Sequence, residues 1–338
     1  MNKILEKWES LSASSGIVRL LDINLRSIGQ VMLQNNPLTG LLFLAAIAWG
    51  SYAAGVPRVA IAGILAVVVA NLTAQWLNAD RESLHAGLYG YNGVLVGIAL
   101  ATFLSPNALM WVYVVLGASV SVIAMLGTVN ALKPWGVSSL TFPFVLTTWL
   151  LLLATYGFSG LTGAALPAGD VVVAFQRYEA SPLKLIDLLQ GVLQSISQVF
   201  LKANGVAALL LLVGLAVNSL TAAAFALAGA ILAVLTAHLF GAESELIIGG
   251  LLGFSPVLTA IALGAVFYRP SWRVAVYAML GTLFTVIAQA ALNVALTPLA
   301  IPALTAPFVL VTWIFLLPRH CFEPTSTATG DATTARTT

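Results

Sequence analysis

The sequence predicts an all-α integral membrane protein made of two inverted repeats, each with five transmembrane helices and one half-crossing helix. Three observations predict it: an apolar composition, apolar runs of membrane-crossing length, and a set of motifs that recurs in the same order. Of 338 residues, 60% are hydrophobic and 8% charged, more apolar surface than a soluble domain's polar residues can cover. The partner of such a surface is the lipid bilayer. A net charge of +2 carries no signature of nucleic-acid binding. The single cysteine, Cys321, excludes a disulfide framework or metal-thiolate cluster within one chain.

Residues 1–27 mix acids and bases and lack an apolar core running to a small-residue cleavage site, so they read as a cytoplasmic amphipathic leader rather than a signal peptide. Residues 28–155 form the first repeat. It opens on "IGQVMLQNN" (28–36), too short and polar to cross alone, a pattern suited to a half-crossing helix surrounded by protein. Apolar spans follow at 38–55, 57–77, 86–104, 107–130 and 135–155. The polar stretch 156–190 connects the halves. The second repeat, 191–318, contains "ISQVFLKAN" (196–204) and spans at 205–219, 221–240, 246–266, 273–296 and 303–318. Residues 319–338 are a polar tail with the composition of a disordered segment.

The duplication rests on ordered matches. "TFPFVLTTWLLL" from Thr141 and "TAPFVLVTWIFL" from Thr305 agree at eight of twelve positions, at an offset of 164. "GYNGVLVGIAL" from Gly90 matches "GFSPVLTAIAL" from Gly253 at 163, Ala62-Gly63 matches Ala228-Gly229 at 166, and Gln30 matches Gln198 at 168. Because five spans is an odd number, the second unit enters the membrane from the opposite side, and the repeats are inverted. With a cytoplasmic N-terminus, the inner side receives Lys3, Lys7, Arg19, Arg26, Arg81, Lys133, Arg269, Arg273 and Arg319. The outer side receives Arg58, Arg177, Lys184 and Lys202, and the positive-inside rule supports this orientation.

No acidic residue falls in the middle of a predicted span. Proton- and sodium-coupled carriers ordinarily need such a carboxylate, so its absence argues against active coupling. The histidines, His85, His238 and His320, do not fall on repeat-related positions, and no HExxH motif or nucleophile–base set is present. The chain does not read as an enzyme, and no metal or cofactor is expected.

What recurs is uncharged. Thr141-Phe-Pro143 and Thr305-Ala-Pro307 place a hydroxyl beside a proline within an apolar run. A proline inside a helix removes one backbone bond, so Pro143 is expected to free the carbonyl of Ser139 and Pro307 that of Ala303. The plainer reading is a packing kink with the hydroxyl bonded to its own helix. Tyr91 and Phe254 offer flat faces, with Leu95 and Leu258 narrowing a path, or else Gly90, Gly93 and Gly97 simply pack helices. Gln30 and Gln198 add amides that both donate and accept. Together these sketch a slot with neutral hydrogen-bonding edges and apolar walls, suited to a small, planar, polar, uncharged solute such as urea. Half-helix N-termini meeting at its middle would repel cations.

These motifs, with "HAGLYGYNGVLVGIAL" and "GQVMLQNNPLTG", resemble the urea transporter family over about residues 20–318. The resemblance implies passive, selective urea permeation by a homotrimer with one pore per subunit, a multi-pass protein of a bacterial inner membrane. By position, Thr141, Thr305, Leu95 and Leu258 line the narrow centre. Gln30, Leu33 and Tyr91 form one outer site; Gln198, Val199, Leu201 and Phe254 form the other. The sequence departs from the family pattern at Gln198, where a glutamate is expected, and at Leu33, where a phenylalanine is expected. The alternatives are a channel for another small neutral solute, an amide or ammonia, and an ion-coupled secondary transporter.

Overall fold

The computed structural model describes residues 2–167 and 182–318; the middle of the predicted connecting segment and the whole predicted tail lie outside the described residues. Every regular element among those described is helical, the outcome expected where lipid offers the backbone no hydrogen bonds. After α1 (Asn2–Ser14) come two series of seven helices. The first is α2 (Gly16–Gln30), α3 (Pro37–Ala53), α4 (Arg58–Trp76), α5 (Arg81–His85), α6 (Tyr91–Phe103), α7 (Ala108–Leu132) and α8 (Phe142–Ala154). The second is α9 (Leu185–Ser197), α10 (Gly205–Asn218), α11 (Leu220–Leu239), α12 (Ser244–Ile248), α13 (Phe254–Ile261, extended by a π turn over Ala262–Val266), α14 (Trp272–Leu296) and α15 (Ala306–Leu316).

Matching chemistry sets matching helix ends. Asn36 and Asn204 cap α3 and α10 by accepting from backbone N–H groups in the first turn, and Asn107 and Ser271 do the same for α7 and α14. Left-handed residues stop or turn the chain at five repeat-related pairs: Leu33 and Leu201, Asn78 and Gly241, Gly87 and Gly250, Gly136 and Ala300, and Leu140 and Leu304. For leucine this conformation costs about 1–2 kcal/mol, so tertiary packing must impose it.

By length and composition, four helices suit a membrane crossing: α4, α7, α11 and α14, the second and fourth extended by a 3₁₀ turn. A fifth results if Leu185–Phe200 and Gly205–Asn218, bent by 72°, count as one span. The remaining predicted spans at 38–55, 86–104, 135–155, 246–266 and 303–318 are shorter helices, because capped or left-handed residues stop each of them. Large apolar side chains face outward in helical stripes, Leu109, Val112 and Leu116 on α7 and Trp272, Val276, Leu280 and Phe284 on α14, as lipid-facing surfaces do and water-facing ones do not.

Within each series the packing repeats: α4 lies against α6 and α7, and α11 against α13 and α14. Small residues allow the approach. A Cβ on Gly93 would stand 2.6 Å from that of Ala70, and one on Gly97 2.4 Å from the carbonyl of Ala62. These α6 glycines therefore serve helix packing. Between the series, α3 and α10 run antiparallel. Asn36 at the start of α3 donates to Asn218 at the end of α10 (3.3 Å), and Thr39 Oγ1 donates to the Gly214 carbonyl (2.8 Å). At the other end Lys202, ahead of α10, lies over Gly50 near the end of α3.

Candidate functional site

The duplicated threonine–proline motifs meet. Thr141 is the N-cap of α8 and Thr305 that of α15, with near-identical backbones (φ −89, ψ 17 and φ −92, ψ 17). Their Oγ1 atoms are 2.7 Å apart, one hydrogen bond in which either can donate, and both residues are buried. Two helix N-termini, each carrying a partial positive charge of about half an electron, thus face one another.

The expected kink does not occur. Pro143 and Pro307 lie in the first turns of α8 and α15, where the missing N–H had no intrahelical partner to lose. No helix runs through either proline, so none is broken. The Ser139 carbonyl, expected to be free, accepts from the Phe142 N–H (3.2 Å), and that of Ala303 accepts from the Ala306 N–H (3.2 Å). Leu140 and Leu304, with φ of 48 and 51, turn the chain into the helix instead.

Reciprocal braces hold the two caps together. Trp149 Nε1, on α8, donates to the Pro302 carbonyl (2.9 Å), and Trp313 Nε1, on α15, donates to the Ser138 carbonyl (2.8 Å). Each helix thereby grips the segment leading into its counterpart. Both tryptophans stand inside the repeated motif at the same offset of 164, a repeat that marks them in the sequence without revealing what they grip. A further brace is one-sided. Tyr91 Oη donates to the Leu140 carbonyl (2.5 Å), while its counterpart Phe254 has no hydroxyl to offer.

The remaining candidates follow the same symmetry. Gln30 Nε2 donates to the Ala86 carbonyl (2.9 Å) and Gln198 Nε2 to the Gly249 carbonyl (3.1 Å), leaving each Oε1 available as an acceptor. Both contacts fall in the turns leading to Tyr91 and Phe254. Leu33 and Leu201 end the helical segments carrying the glutamines; their N–H groups each bond the glutamine carbonyl three residues earlier at 2.9 Å. Leu95 and Leu258 are buried one turn beyond Tyr91 and Phe254, and Val199 is buried beside Gln198. The structure thus brings Thr141 and Thr305 into direct contact and places the other nine as repeat-related pairs or neighbours on the flanking elements.

None of these eleven side chains is ionisable apart from the tyrosine, and among the described residues no three metal-ligating side chains cluster. Asp22, in the predicted leader, is buried in α2, where Arg26 Nε (2.8 Å) and Trp8 Nε1 (2.6 Å) both donate to its carboxylate. The centre can therefore offer hydroxyls, amides, backbone groups and apolar walls, which is chemistry for recognising an uncharged polar molecule.

A model of a family described as urea transporter matches residues 21–320. Among similar proteins, Urea transporter 1 of Ovis aries is 29% identical over 303 residues, covering 89% of this chain and 77% of the relative. Urea transporter 1 of Rattus norvegicus is 29% identical over 306 residues with the same coverage. With the match extending across both helical series and through every residue of the doubled motifs, the chain belongs to the urea transporter family.

Proposed function

We propose that the protein is a passive, selective channel for urea, with its pore between two inverted repeats of five crossing helices and one half-crossing helix each. The repeats occupy residues 28–155 and 191–318, and the antiparallel contact of α3 with α10 supports the inversion. The observation that carries the reading is the buried hydrogen bond between Thr141 and Thr305, an uncharged contact between equivalent helix N-termini at the junction of the two series.

A urea at this point replaces the bond between the hydroxyls by bonds to itself. Each threonine accepts from a urea N–H or donates to its carbonyl, so hydrogen bonds are exchanged rather than lost. Gln30 and Gln198 present amide oxygens on either side, with Leu33 and Tyr91 beside the first and Val199, Leu201 and Phe254 beside the second. Leu95 and Leu258 restrict the thickness of what passes. Because urea is neutral, it escapes the penalty of several kcal/mol that an ion meets in such surroundings, and the facing helix N-termini disfavour cations further.

The channel is a homotrimer in a bacterial inner membrane with a cytoplasmic N-terminus. Stopped-flow light scattering on proteoliposomes tests the function: urea flux should exceed that of empty liposomes and be unaffected by sodium or proton gradients. Absence of flux overturns the reading, and flux driven by a gradient replaces it with a coupled carrier.

A further inference from the structure

At one corner between the two series, positive charge stands without an answering negative charge among the described residues. Lys202 follows the 3₁₀ turn after α9 and is only 4% exposed. Its stem lies against α3 where Gly50 has no side chain: Cβ, Cγ and Cδ of the lysine are 3.1–3.2 Å from where a Gly50 Cβ would be. Arg58, the first residue of α4, follows the end of α3 across a short turn in which the Val56 N–H donates to the Ser51 carbonyl (2.9 Å), so it stands near the same end of α3 as Lys202. Ser51 is fully buried, and its Oγ and the Arg58 Nε are shielded from solvent without a hydrogen-bond partner. Neither cation pairs with a carboxylate among the described residues.

The equivalent corner in the other half has no such need. Gln34, the counterpart of Lys202, donates to the Met32 carbonyl (2.9 Å) and accepts from Asn218 Nδ2 (2.7 Å). A neutral, satisfied corner therefore suffices to join α3 to α10, and the charge at the Lys202 end requires another explanation. Trp49 and Tyr52, exposed at the end of α3 with ring centroids 6.5 Å apart, have the character of residues at the boundary between lipid and water. A group with several anionic oxygens would supply acceptors to the ammonium, the guanidinium and the hydroxyl at once.

We propose that Lys202, Arg58 and Ser51 form a binding site for a phosphate oxyanion, either the phosphodiester of a membrane lipid or free phosphate. Native mass spectrometry of the detergent-purified full chain, titrated with phosphatidylglycerol, tests the lipid source. A thermal-shift titration of the delipidated protein with inorganic phosphate tests the other. Lys202→Gln and Arg58→Gln should each weaken retention of the first bound lipid by about tenfold, whereas Lys184→Gln, which removes a cation elsewhere, should leave it unchanged. Loss confined to the corner variants supports the site with lipid as its ligand. A rise in melting temperature with phosphate, absent from the same two variants, supports it with free phosphate. Equal lipid retention and equal phosphate response in the wild type and all variants overturns it. Should Lys202→Gln not fold, Arg58→Gln and Ser51→Ala carry the same comparison.

Discussion

At the scale of single residues, the hydroxyls of Thr141 and Thr305 serve both the fold and the proposed path, and the two roles can be separated. Replacing one threonine by valine leaves the other hydroxyl buried and unpaired, at a cost of about 1–3 kcal/mol, whereas replacing both removes donor and acceptor together and is nearly neutral. If the pair acts on urea, the double variant Thr141→Val/Thr305→Val should unfold within about 1 kcal/mol of the wild type, yet pass urea roughly tenfold more slowly. Differential scanning fluorimetry beside stopped-flow permeability measures both, and an unchanged flux would leave the contact a purely structural one. The tryptophans make a matching case. Trp149→Phe and Trp313→Phe keep most of the ring volume but orphan the Pro302 and Ser138 carbonyls. Each should cost about 1–3 kcal/mol and let larger substituted ureas pass relative to urea, read by comparing the permeability of methylurea and urea.

At the scale of elements, the prolines show how a sequence pattern can mark the place where a helix begins and still mislead about its geometry. Proline in an apolar run reads as a kink only if a helix precedes it, and nothing in "GVSSLTFPF" announces that Leu140 adopts a left-handed backbone. Leucine does not prefer that conformation, so packing decided it. The consequence is measurable. Pro143→Ala should change stability by no more than about 1 kcal/mol, the scale expected from freeing one φ in the unfolded chain, and should leave urea flux within about twofold. A large loss would mean that the proline does more than begin α8. At Gly250, φ is +69 and a Cβ would stand 2.3 Å from the Ser195 N, so Gly250→Ala should cost more than about 2 kcal/mol or abolish folding, read from yield and melting temperature.

At the scale of the whole molecule, inversion predicts opposite exposure of equivalent loops. Leu77 and Phe240, exposed at the ends of α4 and α11, occupy corresponding positions. In a chain carrying Cys321→Ser, Leu77→Cys and Phe240→Cys should react with a membrane-impermeant maleimide from opposite faces of right-side-out vesicles. Labelling from one face alone would sink the inverted arrangement. The helical class, the membrane setting, the duplication and the pairing of the two threonine–proline motifs were all legible in the chain, because composition and ordered repeats are properties of sequence that no fold can hide. The lengths of the helices, the start of α8 and α15 at their prolines, the reciprocal tryptophan braces and the burial of Lys202 were not. They depend on contacts between residues more than a hundred positions apart, which impose left-handed turns on leucines and decide which buried polar group finds a partner.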